Sequence, residues 1–173
     1  GSGSPFDPVA AGEVDASVVG TTTFYAQCAC GVCISPRVAA DFTVNPAAAP
    51  VIAGLPFVCP GSTETYTTTF NGNSIYVWTL SGGGTIISQD ENEVTIRWTD
   101  QEGVGPFTVS VTETNEFGCA GSDDFQVSTK NITLACNDNV QISLDQMGMA
   151  FVNPDQILEG TYNTFDCFTV EIE

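Results

Sequence analysis

The residues best suited to chemistry are three closely spaced cysteines, Cys28, Cys30 and Cys33. Thiolates at this spacing can ligate zinc or an iron–sulfur cluster in a reducing compartment. Structural disulfides and a single reactive thiol are the alternatives. Because no fourth ligand lies nearby in the sequence, we favour structural disulfides.

Carboxylates form the second group of candidate ligands. The chain carries 21 acidic residues against 3 Lys and Arg, a formal net charge of -18 at pH 7. Calcium takes roughly six to eight oxygen ligands, which loops at a domain junction could supply. The sequence has no EF-hand spacing. The alternative to a calcium site is an acidic surface that is exposed to solvent and binds no metal. If calcium is a cofactor, we expect Asp123 and Asp138 to bind it. The acidic runs lie at residues 90–93, 100–102, 123–124 and 137–139.

The composition argues against catalysis. The sequence contains no histidine, which removes Ser-His-Asp and Cys-His nucleophile systems and histidine-bound metals. Lys130 is the only lysine, and nothing in the sequence places two carboxylates in one cleft, as a glycosidase requires. We therefore expect a protein that is not an enzyme.

The charge and hydropathy also limit the partners. A surface this acidic repels a phosphate backbone or an anionic membrane, so nucleic acid is not an expected partner. No apolar run approaches the roughly 20 residues that a membrane helix needs, so we expect no membrane insertion. Many Thr and Gly residues together with seven cysteines fit an oxidising, extracellular compartment.

Strict alternation of apolar and polar residues predicts the strands. Residues 93–99 and 107–112 alternate with a period of two, which indicates extended chain with one wet face. Residues 75–80 carry apolar side chains on both faces, which predicts a central strand. Trp78 and Trp98 lie on these strands, so we expect them in the core rather than in a sugar-stacking site.

Turn signals divide the chain into three units. Residues 45–50, with two prolines, predict a short stiff linker. Between this linker and residue 129, turn signals recur about every ten residues, as seven short strands require. We predict a complete β-sandwich at residues 47–129. Residues 1–46 and 130–173 predict incomplete β-rich units on either side, and the segment as a whole is interpreted as an internal piece of a longer polypeptide.

Short motifs in all three units resemble known families. Residues 50–54, 59–62, 76–86 and 118–122 together resemble a PKD-like domain of the kind found along giant surface proteins of Bacteroidetes. Residues 21–35 resemble the second half of the Ig-like repeat that often precedes such a domain. Residues 136–145 are similar to repeats in gliding-motility adhesins exported by the type IX route. The resemblance implies an all-β fold, namely tandem Ig-like and PKD-like antiparallel β-sandwiches in an extended array.

One motif departs from the family pattern. Typical PKD domains carry a Trp-Asp-Phe-Gly-Asp-Gly signature, which residues 78–83 replace with Trp-Thr-Leu-Ser-Gly-Gly. No role of those aspartates is therefore transferred to this chain.

The resemblance also implies a disulfide. A cysteine before a strand, a tryptophan on that strand and a second cysteine about 60 residues after the first resemble the immunoglobulin arrangement. By this resemblance Cys59 and Cys119 would bond beside Trp78. Cys136 and Cys167 are then the next natural pair.

Seven cysteines cannot all pair within one chain. The family pattern implies that Cys33 bonds a cysteine upstream of this chain. In the same pattern Cys28 and Cys30 either pair locally or are strained. The sequence by itself leaves this connectivity open.

These inferences converge on a non-enzymatic segment of a secreted, bacterial cell-surface adhesin or fibre, with a stalk or display role in adhesion or gliding. The expected partners are neighbouring domains of the same polypeptide or identical copies, and a surface glycan or protein ligand. Two alternatives remain. One is a carbohydrate- or protein-binding module, and the other is a filament whose copies complete each other by strand exchange.

Overall fold

The structure is a computed structural model that describes residues 7–132, 135–136, 140–152, 156, 158–159 and 167. The described residues form thirteen β-strands and almost no helix, as the alternation predicted. The strands are β1 (Gly20–Ala26), β2 (Ala29–Cys30), β3 (Cys33–Ile34), β4 (Val38–Val44), β5 (Phe57–Val58), β6 (Thr63–Thr67), β7 (Ile75–Leu80), β8 (Gly84–Asp90), β9 (Glu93–Trp98), β10 (Phe107–Thr114), β11 (Ala120–Thr129), β12 (Ala135–Cys136) and β13 (Leu158–Glu159).

Seven of these strands, β5 to β11, build a two-sheet sandwich. One sheet has four strands in the order β5-β11-β10-β7, and the other has three in the order β6-β9-β8. All pairings are antiparallel except the short one between β5 and β11, which is parallel. The number of strands matches the sequence-based prediction for this region.

The core lies between the two sheets. Trp98 contacts Tyr66 edge-to-face, with ring centroids 6.0 Å apart, and stacks on Phe107 at 6.1 Å. Both tryptophans are buried, as predicted. Each fully buried aliphatic side chain contributes roughly 1.5–3 kcal/mol relative to an exposed one, so these residues dominate the stability of the module. The buried apolar residues are Ile52, Val58, Tyr66, Trp78, Val94, Ile96, Trp98, Val109, Val111 and Val127.

One predicted strand position is wrong. Residues 75–80 were expected in the middle of a sheet, but β7 is the edge strand of the four-stranded sheet. Trp78 faces the core, whereas Ile75 and Val77 on the other face are 69% and 54% exposed. The apolar residues on the outer face of β7 therefore form an exposed apolar surface, and only its inner face is buried.

The turn after β7 depends on glycine. Gly83 has φ +73°, and a Cβ there would overlap with the ring of Phe107. The side chain of any other residue would therefore displace an aromatic ring that stacks on Trp98. This contact explains part of the glycine run at residues 82–84.

The flanking regions form small two-stranded sheets. Strands β1 and β4 pair antiparallel along their whole lengths, from Gly20 opposite Val44 to Ala26 opposite Val38. Strands β12 and β13 pair over two residues. The assignment of residues 1–46 to an Ig-like domain and of residues 130–173 to a further adhesin repeat stays a prediction.

Candidate functional site

The disulfide of the described residues joins Cys59 to Cys167, with an S–S distance of 2.02 Å and Cα atoms 5.4 Å apart. Cys119 is a free thiol. The predicted pairs Cys59–Cys119 and Cys136–Cys167 are therefore both wrong.

The reason is the length of β11. Cys119 directly precedes Ala120, the first residue of this strand, whereas Cys59 follows Val58, which pairs with Thr129 at its last residue. Ten residues of strand span roughly 30 Å, far beyond the roughly 7 Å limit on the Cα separation of a disulfide. The chain differs here from the immunoglobulin arrangement, in which the bonded cysteines face each other between the sheets.

The cysteine-rich hairpin around residue 30 carries exposed thiols. Cys28 and Cys33 are free, so the predicted pairing of Cys28 with Cys30 is wrong. Two hydrogen bonds close the base of the hairpin, from Ser35 N–H to the Cys28 carbonyl (2.9 Å) and from Cys28 N–H to Ser35 Oγ (2.8 Å). Hydrogen bonds that involve the backbone and the Ser35 hydroxyl thus hold this hairpin. Within the described residues, no group of three or more His, Cys, Asp or Glu side chains is placed to hold a metal ion.

Of the two predicted calcium ligands, only Asp123 lies within the described residues. Asp123 lies on β11, and its Oδ2 accepts a 2.7 Å hydrogen bond from the backbone N–H of Ile52. Its carboxylate therefore fixes the segment that leads into the sandwich. Asp138 lies outside the described residues. Calcium binding by this pair stays a prediction.

A polar pocket lies at the end of the sandwich where the β6–β7 loop meets the β10–β11 turn. Its volume is about 480 Å³. Two carboxylates, three asparagine amides, a serine hydroxyl and the linker backbone surround it. The lining residues are Ala47, Ala48, Ala49, Asn71, Gly72, Asn73, Ser74, Glu113, Asn115, Glu116 and Phe117.

Glu113 is the central residue of this pocket, and only 2% of it is exposed. Its Oε1 accepts hydrogen bonds from Ser74 Oγ (2.7 Å) and Asn71 Nδ2 (2.8 Å), and the Tyr76 hydroxyl lies 3.5 Å away. All three groups approach the same carboxylate oxygen. The Tyr76 hydroxyl also accepts a 2.7 Å bond from the Asn71 N–H. These hydrogen bonds join the β6–β7 loop to β10, an inner strand of the four-stranded sheet.

Buried carboxylates require hydrogen bonds or a positive partner. Among the residues that the structure describes, Arg97 and Asp100 form an ion pair at 3.3 Å, which lies on the exposed surface and does not involve Glu113. The second carboxylate that lines the pocket, Glu116, is exposed and accepts a 3.2 Å hydrogen bond from Asn73 Nδ2. The pocket therefore suits ligands that donate hydrogen bonds or carry positive charge.

The sequence contains a signal for the burial of Glu113. In the run from Phe107 onwards, position 113 shares the inward face with Val109 and Val111. A glutamate in register with core positions predicts a buried carboxylate with local donors.

The linker is attached to the same end of the module. Asn115 Nδ2 donates a 2.8 Å hydrogen bond to the carbonyl of Pro46. A Cβ at Gly121 would overlap with the carbonyl oxygen of Ala48, so only glycine permits this close approach. Residues 46–48 are thus held against the start of β11.

Burial in the core changes the pKa of one side chain, the phenol of Tyr66. Burial raises this pKa above its ordinary value. The Tyr66 hydroxyl donates a 3.1 Å bond to the Leu55 carbonyl. This neutral phenol fixes the segment that precedes β5.

The described part of the chain contains no helix that is long and apolar enough to cross a membrane.

Part of the chain matches a known protein family. Residues 45–127 match the model of a family described as PKD-like domain. This stretch includes most of the two-sheet sandwich and the linker contact, and domains of this kind are typically non-catalytic. No curated protein and no solved structure matches the chain significantly.

Proposed function

We propose that this chain is a non-enzymatic structural segment of an extracellular, cell-surface adhesin or fibre, in which the sandwich acts as a spacer and display module. PKD-like domains are usually extracellular, and the Cys59–Cys167 disulfide is compatible with secretion into an oxidising compartment. The role in adhesion or gliding, a bacterial cell surface and type IX secretion belong to this proposal and rest on sequence resemblance.

The observation that carries the proposal is that the chain enters and leaves the sandwich at opposite ends. On entry, Pro46 is bonded to Asn115 in the β10–β11 turn. The chain then runs beside β11. The Ile52 N–H donates a hydrogen bond to the Asp123 carboxylate and, further along, the Ser128 N–H donates one to the Pro56 carbonyl. It leaves at the far end, where Lys130 N–H donates to the Val58 carbonyl at 2.8 Å.

This path separates the attachment points by the length of β11, roughly 30 Å. A module of this kind adds its long dimension to the array instead of folding the chain back. The fixed linker at residues 46–48 restricts rotation at the entry point. Both properties suit a stalk, whose neighbours are further domains of the same polypeptide or identical copies.

Small-angle X-ray scattering of the whole chain tests the proposal. A compact protein of 173 residues has a radius of gyration of roughly 16 Å. We expect a clearly larger value and an elongated distance distribution. Titrating calcium in the same experiment tests whether the predicted Asp123 and Asp138 ligands stiffen the array. A compact, calcium-insensitive particle contradicts the stalk.

The second candidate is a carbohydrate- or protein-binding module, and the polar pocket around Glu113 favours it. Two carboxylates beside the exposed ring of Phe117 offer hydrogen-bond acceptors and an apolar face, the combination that sugars use. Saturation-transfer NMR with a panel of neutral oligosaccharides tests this candidate. A signal that Phe117→Ala and Glu113→Gln remove supports it, and a panel without signal counts against it.

A further inference from the structure

The edge of the four-stranded sheet at β7 differs from the other edges of the sandwich. Edge strands expose unpaired backbone groups, and proteins protect them with charges, prolines, bulges or covering segments. Strand β5 has only two residues and follows Pro56. Strand β6 is partly covered by Ala53, which bridges to Thr67. Strand β8 has a register shift after Ile86 and ends at Asp90.

Strand β7 has none of these protections. Its six residues include no charge, no proline and no register shift against β10. Its outer face carries Ile75 and Val77, both more than half exposed. Within the described part of the chain, no strand lies beyond it.

The register identifies the open backbone groups. Ser81 N–H donates to the Thr108 carbonyl at 3.0 Å, so this opposed pair is hydrogen-bonded. Because bonded and non-bonded pairs alternate along antiparallel strands, Thr79, Val77 and Ile75 also direct their backbone groups towards β10. The N–H and C=O groups of Tyr76, Trp78 and Leu80 therefore point outward and can pair with an additional strand.

The opposite sheet gives this edge a charge. The turn between β8 and β9 lies beside β7, because its Glu91 carbonyl accepts a 3.0 Å hydrogen bond from the Trp78 indole N–H. Asp90, Glu91 and Glu93 in this hairpin are exposed, and none of them takes part in the ion pair between Arg97 and Asp100. A strand added to β7 would have one face over Ile75 and Val77 and its other face towards these carboxylates.

We propose that the β7 edge binds an extended segment of another protein in which β-branched or apolar residues alternate with Lys or Arg. The backbone of this segment pairs with Tyr76, Trp78 and Leu80, its apolar residues cover Ile75 and Val77, and its cations face the acidic turn. Charge disfavours a second copy as the occupant, since each chain carries a net charge of -18 and symmetric pairing of two β7 strands would bring two acidic turns together. This binding mode is independent of the stalk function.

The test uses three labelled peptides with the whole chain. The first is an acetylated, amidated heptapeptide of sequence Thr-Val-Lys-Val-Lys-Val-Thr, the second has Glu in place of Lys, and the third is the first with N-methyl groups on the backbone edge that would pair with β7. By fluorescence anisotropy, we expect the Lys peptide to bind about tenfold or more tightly than either other peptide. Amide chemical shifts of Tyr76, Trp78 and Leu80 should move on binding.

Two substitutions check the location. Val77→Lys should weaken binding of the Lys peptide about tenfold, because it places a cation where the apolar residues of the peptide lie. Val51→Lys is the matched control, since Val51 is 71% exposed and lies outside the two sheets; this variant should bind normally.

Several outcomes overturn the proposal. Equal binding of the N-methylated peptide would show attraction by charge alone, without strand addition. Insensitivity to Val77→Lys, or no binding of the Lys peptide to the unaltered chain, would remove the site. A dimer of the free chain in sedimentation that Val77→Lys dissociates would identify a second copy as the occupant.

Discussion

The side-chain amide of Asn115 donates a hydrogen bond of 2.8 Å to the backbone carbonyl of Pro46, 69 residues earlier in the chain. The same side chain organises its own turn, because its Oδ1 accepts bonds from the N–H groups of Phe117 (3.1 Å) and Cys119 (3.0 Å). One residue therefore shapes the β10–β11 turn and attaches the linker to it.

Two substitutions of Asn115 should separate these roles. Asn115→Asp keeps the acceptor oxygen and removes the donor to Pro46, so we expect proteolysis within residues 45–50 to accelerate several-fold while the free energy of unfolding changes by less than about 1 kcal/mol. Asn115→Ala also leaves two turn N–H groups without their acceptor and should cost a further ~1–3 kcal/mol. Limited proteolysis and urea unfolding measure the two effects. Unchanged linker cleavage in both variants would contradict the docked linker.

The disulfide assignment predicts unequal effects for two cysteines. Closing a loop with a sequence separation of 108 stabilises the folded state by about 4–5 kcal/mol in the chain-entropy model, and removal of native disulfides typically costs about 2–5 kcal/mol. Cys59→Ser should therefore lower the free energy of unfolding by about 2–5 kcal/mol, whereas Cys119→Ser should leave it nearly unchanged. Urea unfolding without reductant measures both.

Peptide mapping without reduction provides the direct check of this bond. A proteolytic fragment that links residues 59 and 167 is expected, together with alkylation of Cys119 by iodoacetamide. A fragment that links residues 59 and 119 would refute the assignment.

The buried carboxylate of Glu113 should be more sensitive to loss of its oxygens than to loss of its charge. Glu113→Ala leaves the donors of Asn71 and Ser74 without an acceptor and should destabilise the module by about 2–3 kcal/mol. Glu113→Gln retains one acceptor oxygen at similar volume and should cost less. Glu116→Gln, at an exposed position in the same pocket, is the control and should change stability by less than about 0.5 kcal/mol. Equal costs for all three variants in urea unfolding would argue against the network.

Tyr66 predicts an alkaline limit to stability. Because burial raises the pKa of its phenol in the folded state, the folded chain retains a proton above about pH 10 that the unfolded chain releases. Stability should therefore be unaffected by this group below about pH 10 and fall above it, by at most about 1.4 kcal/mol per pH unit. Tyr66→Phe should flatten this slope and cost about 1 kcal/mol at neutral pH, since the bond to the Leu55 carbonyl is lost. Thermal unfolding monitored by circular dichroism from pH 8 to 11.5 provides the comparison, and an identical slope in both proteins would contradict it.

Sequence reasoning succeeded where the relevant information is local. Alternation located the strands and placed Trp78 and Trp98 in the core, because side-chain direction follows from position along a strand. It failed for Cys59 and Cys119, because the resemblance to the immunoglobulin arrangement rests on the spacing of two cysteines and a tryptophan, which does not specify which strand ends come together. It failed for β7 for a related reason, since a strand that is apolar on both faces can be central or can expose a surface at an edge.

The candidate site was less predictable than the fold. The parity that placed Val109 and Val111 inward also placed Glu113 inward, but its donors, Asn71 and Ser74, come from a loop some 40 residues earlier. Such pairings depend on the register of β7 against β10. Asp123 was predicted only as a calcium ligand, whereas its hydrogen bond with the backbone N–H of Ile52 depends on how the linker folds against β11, which the sequence does not specify.

The bridge between Cys59 and Cys167 has a mechanical consequence. If the chain is pulled from a point before residue 59 and a point after residue 167, tension passes through the two sulfur atoms and bypasses the polypeptide between them. The strands from β6 to β11 would then carry no sustained force, and roughly 360 Å of contour length would stay stored. Reduction of the disulfide would release this stored length. While the disulfide is intact, it would carry the tension and the folded domain would not be stretched.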